Sequence, residues 1–340
     1  MMFDLSSSID LPLLWGGLIA LSVLLYVCLD GFDLGIGILF PFAPSDKCRD
    51  KMMNSISPFW DGNETWLVLG GGGLLAAFPL AYSVLMPAIY MPLTIMLIAL
   101  IFRGISFEFR FKASIKTRRV WDYCFHYGSL VATLMQGIIL GVFVQGINVV
   151  DRKYAGGAWG WLNGFSITVG LAMVFGYALL GSTWVIMKTE EETQSWAKKC
   201  SLYVLIYVLG FMGIVSLWVP FLNNQIFDRW FSWPNMFYFS PLPIISVFVS
   251  FYLIKTITNG KEVAPFLLSI SLFILAYIGL AVSLWPWVVP YSISVWEAAA
   301  ASESLSLISV GAAILLPVVL IYTAYSYYIF RGKTSHESLY

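Results

Sequence analysis

The sequence predicts an all-α integral membrane protein that crosses the bilayer about nine times. Three observations lead there. Of 340 residues, 59% are hydrophobic and only 11% are charged, under half the roughly 25% carried by soluble domains. Apolar runs near the ~20 residues needed to span a bilayer recur along the whole chain. Basic residues fall almost entirely in alternate connections between those runs, as they do on the cytoplasmic side of membrane proteins. Nineteen basic and nineteen acidic residues cancel. The charge therefore lacks the basic excess of a nucleic-acid binder, and the apolar content excludes disorder.

The spans are expected at 12–40, 63–81, 84–102, 123–148, 161–187, 201–221, 236–256, 264–285 and 305–329. The first ten residues lack the positive region of a signal peptide, so the first span is expected to be retained. It is too long to stand straight in a ~30 Å core and must tilt, kink or project. The second and third are separated only by a short connection near Pro79. With the N-terminus outside, sixteen of the nineteen basic residues lie in cytoplasmic connections. An odd span count with the C-terminus inside follows. No linker or soluble segment interrupts the series, so residues 1–340 form one polytopic membrane domain.

Trp159, Trp161, Trp230, Trp233, Trp285 and Trp287 mark expected span ends, where amphipathic rings sit at headgroup level. Gly31/Gly35, Gly137/Gly141 and Gly160/Gly164 have the four-residue spacing that lets helices approach closely. The run Gly70-Gly71-Gly72-Gly73 is a weak helix unless a neighbour packs flat against it. No lysine follows it, so it is not a phosphate loop.

The four cysteines form no C-x-x-C pair, so neither a disulfide framework nor a zinc ribbon is expected. The two histidines are His126, at the start of the fourth span, and His336, in the polar tail. Haem in membrane helices takes axial His, or His with Met, so the chain is expected to carry no haem or metal of its own.

Charges at membrane depth are costly and face a partner or a water path. Asp30 lies 18 residues after Pro12, about 27 Å along a helix. That places it near the cytoplasmic edge, with Asp33 one turn further on. Asp61 and Glu64 open the second span in FWDGNETW, and Arg103 and Glu108 close the third in FRGISFEFR. The acids converge on one side of the membrane, with Arg103 and Arg110 available to compensate them. Such a cluster can conduct protons inward from the cytoplasm. It can equally be structural: Asp61 can cap a helix, Glu108 can pair with Lys112 and Asp30 can bond backbone. Gln136 and Gln145 read as interhelical hydrogen bonders, and Glu297 and Glu303 as a solvated external turn or a quinone-headgroup contact. A secondary transporter is the competing reading, disfavoured because the midplane is bland; a pure scaffold is another.

The runs LDGFDLGIGILFPF (29–42), NSISPFWDGNETWLVLGGGGLLAAFPLAYS (54–83) and FRGISFEFRFK (102–112) resemble subunit II of cytochrome bd-type quinol oxidases, closest to the short, cyanide-insensitive branch. SVWEAAA (294–300) is a softer match. The resemblance implies two four-helix bundles plus one peripheral helix, and a heterodimer with a subunit I that carries two b-type haems and one d-type haem. That partner oxidises ubiquinol or another quinol and reduces dioxygen to water, so this chain is not catalytic alone. It further implies a multi-pass protein of the bacterial inner membrane, bathed in lipid, with room for a structural quinone and a small single-helix subunit. The W-D-G-N acid and the acid of the third helix carry the family's proton route. They fall here on Asp61 and Glu108, with Asp30 and Asp33 in the D-G-F-D motif and Glu64 and Arg103 as supporting polar groups. Glu108 stands where the longer branch commonly has aspartate, one methylene shorter.

Overall fold

A computed structural model describes residues 9–334; His336 lies outside them. The chain is helical throughout its apolar runs. Each predicted span has its helix: α1 (Leu11–Leu39), α3 (Trp60–Ala77), α4 (Pro79–Arg110), α5 (Ile115–Gln145), α6 (Gly164–Lys188), α7 (Glu191–Trp218), α10 (Pro241–Thr258), α11 (Ala264–Leu284) and α13 (Ser302–Ile329). Between them lie short α2 (Asp46–Ile56), α8 (Asn224–Phe231), α9 (Asn235–Phe239) and α12 (Val295–Ala298). Two 3-10 turns (Phe40–Phe42 and Val219–Phe221) and two antiparallel ribbons complete the described elements: β1 (Val149–Val150) with β2 (Lys153–Tyr154), and β3 (Trp287–Val289) with β4 (Ile293–Ser294).

Eight of the nine long helices are apolar and long enough to cross a membrane. The exception is α3, whose first turns carry Asp61, Asn63, Glu64 and Thr65 and whose length is 18 residues. It packs along α1 nonetheless. Its Gly70 and Gly73 lie against Val23 and Ile19 of α1, while Gly71 and Gly72 face open space. The expected flat neighbour is therefore present on one side of the glycine run only.

Several boundaries differ from the hydropathy reading, for a common reason. Helices α4, α5 and α7 continue beyond their apolar stretches into charged turns, at Arg110, from Ile115 and from Glu191. A polar turn stays helical outside the bilayer, where it needs only water. The break between α3 and α4 falls at Phe78, earlier than expected, because Pro79 occupies the first turn of α4, where its missing N–H goes unmissed. Helix α1 runs unbroken for 29 residues, about 43 Å, and so projects beyond a ~30 Å core. Asp10 caps it, accepting from the Leu13 N–H at 3.0 Å and from Trp296 Nε1 at 2.9 Å. Those bonds, Trp296 first, hold the Asp10 carboxyl below the usual carboxylate range.

Successive long helices alternate in direction, so their connections gather at two ends. At the basic end, Arg110 bonds Asp50, Lys51 meets Glu191 at 3.5 Å and Lys333 meets Glu262 at 2.9 Å. At the opposite end, the Ala300 N–H donates to the Ala77 carbonyl at 2.8 Å, and Tyr291 donates to the Val144 carbonyl at 2.7 Å. The main core lies toward the basic half around α1, α5 and α6. There Phe32 stacks on Trp184 with centroids 4.0 Å apart.

Close helix approach at glycine is borne out for two of the three pairs. A Cβ on Gly35 would fall 1.8 Å from the Tyr177 carbonyl oxygen, and one on Gly137 would fall 2.6 Å from the Gly170 Cα. The third pair is not a packing pair: Gly160 lies in a turn ahead of α6, because that helix starts at Gly164 under an Asn163–Ser166 capping box. Helix α13 leans on α1 and α3 and leaves a long apolar face exposed, including Leu307, Ile321 and Tyr322.

Candidate functional site

Three consecutive long helices bring their polar residues together inside the basic half. Helix α1 supplies Asp30 and Asp33, both fully buried. Three residues apart on a helix, they share one face. Helix α3 supplies Asn63 and Glu64, and α4 supplies Arg103, also fully buried. Arg103 Nη2 lies 2.9 Å from Asp30 Oδ1, and Nη1 lies 2.5 Å from Glu64 Oε1. Its guanidinium also stands over the Trp60 ring at 5.9 Å. One cation thus bridges a sealed carboxylate and one whose side chain is 27% exposed.

Asp33 is held differently. Its Oδ2 accepts from Asn63 Nδ2 at 2.7 Å, and the same nitrogen reaches the Leu29 carbonyl oxygen at 3.3 Å. Asn63 Oδ1 in turn accepts from the Tyr327 hydroxyl of α13 at 3.1 Å.

A second polar chain approaches Asp30 from deeper in the bundle. Tyr177 of α6 donates to Gln136 Oε1 at 3.0 Å, and Gln136 Nε2 donates to the Tyr26 hydroxyl at 2.6 Å. Tyr26 lies one turn before Asp30 on α1. Both donors in the chain point from Tyr177 toward Tyr26. An amide sits in the middle, and an amide donates from nitrogen and accepts at oxygen without exchanging the two roles. Such a chain is poorly built to carry a proton further inward. Gln136 thus is an interhelical hydrogen bonder, as its sequence position suggested.

The remaining predicted residues fall outside this cluster. Asp61 is exposed on the first turn of α3. Glu108 is exposed on the outer side of α4 and meets Lys112 Nζ at 3.8 Å, the i,i+4 pair that was its structural reading. Five residues from Arg103, it points to a different side of the helix. Arg110 does not compensate the Asp30 group. It is buried among a separate set, with Asp50 at 2.8 Å and Asp122 at 2.5 Å, and with Arg118 also on Asp50. Asp50 and Asp122 escaped sequence reasoning because each sits in a connection rich in charge. His126 Nδ1 lies 3.1 Å from the Gly37 carbonyl oxygen. Glu297 closes a capping box on Ser294, whose N–H and hydroxyl hold that carboxyl below its ordinary range. Among the described residues, no three His, Cys, Asp or Glu side chains are grouped to hold a metal ion.

The arrangement is an acid-rich buried cluster: three carboxylates and one guanidinium, sealed on one side and part-exposed at Glu64. Groups of this kind bind, hold and release protons or cations near an aqueous edge.

Comparison with known proteins agrees with the motifs. The chain is 26% identical to cytochrome bd-I ubiquinol oxidase subunit 2 of Escherichia coli K12, over 97% of this chain and 96% of the relative. It is 28% identical to cytochrome bd ubiquinol oxidase subunit 2 of Bacillus subtilis 168, over 95% and 97%. Its fold matches a chain of the bd oxidase from Geobacillus thermodenitrificans with a TM-score of 0.76 at 14% identity, covering 94% of this chain and 97% of that one. The family model described as cytochrome bd terminal oxidase subunit II matches residues 11–330, and the chain belongs to that family.

Proposed function

We propose that this chain is the haem-free subunit II of a quinol:dioxygen oxidoreductase in a bacterial inner membrane, with its N-terminus outside and its C-terminus in the cytoplasm. It holds a haem-bearing subunit I and delivers cytoplasmic protons to it. The b- and d-type haems belong to that partner, where quinol loses electrons and protons and dioxygen takes up as many of each to become water. If the protons released outside are replaced from the cytoplasm, turnover separates charge without a pump. Each charge moved against 100 mV costs about 2.3 kcal/mol, so the route must exclude leaks.

The observation that carries the reading is the graded exposure of the acids. Asp61 is exposed at the basic end, Glu64 is part-exposed, and Asp30 and Asp33 are sealed behind it. On this reading Asp61 and Glu64 take up the proton, and the two buried acids beside Arg103 receive it. Glu108, outside that cluster on the outer face of α4, passes protons to subunit I seated there. Lipid and partner cover the exposed apolar faces. A structural quinone and a small single-helix subunit remain part of the expected complex.

The test is turnover in the assembled complex carrying Asp61→Asn or Glu64→Gln. Haem spectra report assembly and oxygen uptake reports the reaction. Retained haem with lost uptake supports proton delivery. Lost haem assigns the acids to scaffolding, and normal uptake with normal haem removes them from the route.

A further inference from the structure

We infer that Tyr327, on the last spanning helix, is a positioning residue for Asp33, acting through the Asn63 amide. The hydroxyl of Tyr327 donates to Asn63 Oδ1 at 3.1 Å, and Asn63 Nδ2 donates to Asp33 Oδ2 at 2.7 Å and to the Leu29 carbonyl at 3.3 Å. Asn63 is 1% exposed, so water does not supply a missing bond. Its amide has two donor hydrogens and one acceptor oxygen, and all three find partners only while α13 is docked. Removing the Tyr327 oxygen leaves the buried Oδ1 without a donor, a costly state that the side chain relieves by turning away from Asp33. Bonds in series also strengthen one another, so the Asp33 contact is tightest with the hydroxyl in place.

The ring of Tyr327 has a separate task. It stacks on Phe59 with centroids 4.4 Å apart and presents its edge to Trp184 at 6.2 Å and Phe32 at 6.5 Å. Phe keeps all of that packing and deletes only the oxygen, so Tyr327→Phe separates docking of the helix from control of the carboxylate. Helix α13 is thereby linked to the acid cluster across 264 residues of sequence.

The consequence for turnover rests on the proton-delivery reading; the consequence for Asp33 itself does not. Infrared difference spectra of the purified oxidase complex read the Asp33 carboxyl or carboxylate bands, identified by their loss in Asp33→Asn. Labelling with ¹³C-aspartate identifies aspartate bands without touching Asp33, should that variant fail to assemble. In the Tyr327→Phe complex we expect those bands to move to the position of a more weakly bonded group. We expect kcat to fall about fivefold, the factor of one neutral hydrogen bond, with the KM for quinol unchanged. Bands that stay in place overturn the inference, whatever the turnover. Bands that move while turnover is untouched uphold the positioning role and refute the participation of Asp33 in proton delivery.

Discussion

Asp30 and Arg103 face each other at 2.9 Å with neither side chain exposed to solvent. Arg103 also pairs with Glu64, so its loss strands two acids at once. Removing one member of a buried pair costs about 3–5 kcal/mol, whereas replacing both together costs far less. Arg103→Met is therefore expected to abolish or sharply destabilise the assembled complex. Combining it with Asp30→Asn should recover part of the loss, read as the midpoint of thermal unfolding in detergent.

Helices α1 and α6 touch backbone to backbone at Gly35. A methyl there would sit 1.8 Å from the Tyr177 carbonyl oxygen, which no side-chain adjustment relieves. Gly35→Ala is expected to force the helices apart at a cost of several times the ~1–3 kcal/mol typical of core overpacking. Gly72→Ala meets nothing within 4 Å and removes a weak helix former, so it should stabilise by about 0.5–1 kcal/mol. Equal effects of the two on the melting midpoint would contradict the packing described.

Glu108 and Lys112 form an exposed i,i+4 pair, worth about 0–1 kcal/mol. Glu108→Gln is therefore expected to leave folding and assembly unchanged. Its effect should appear only as slower oxygen uptake, if subunit I receives protons at that face. A fall in both stability and uptake would assign Glu108 a structural role instead.

At the basic end, Lys333 bonds Glu262 at 2.9 Å and the Thr189 carbonyl oxygen at 3.1 Å, while the Thr334 N–H donates to the Lys188 carbonyl at 2.8 Å. Lys333 and Gln194 hold the Glu262 carboxyl below its ordinary value. A depressed carboxylate contributes its full stabilisation above the unfolded value of about 4.3 and loses it as pH falls through the lower folded value. Hydrogen exchange at Thr334 should therefore be pH-insensitive in intrinsic-rate-corrected terms near neutrality and lose protection only in acid. Lys333→Ala should give the unprotected rate at every pH.

Much of this fold was legible because burial in lipid writes itself as long apolar runs, and each of the nine expected spans has its helix. The motif acids were legible too, since a charge at membrane depth stands out. Their grouping was only half legible. Spacing put Asp30 and Asp33 on one face, but whether Glu108 shared the Arg103 face depended on a helix that runs on to Arg110. Gln136 was legible as an interhelical hydrogen bonder, whereas Asn63, Tyr26, Tyr177 and Tyr327 gave no signal of their own. Tyrosine and amide side chains are common near membrane edges, and their partners lie 30 to 264 residues away. Nothing local in the sequence distinguishes a tyrosine that bonds an amide from one that rests at headgroup level.

Because Tyr327 belongs to α13, the cluster begun by α1 is finished by a segment 264 residues further along the chain. Until that segment inserts, Asn63 lacks a donor and Phe59 lacks its stacking ring. An undocked α13 thus leaves the acidic interior unfinished at both its amide and its aromatic wall.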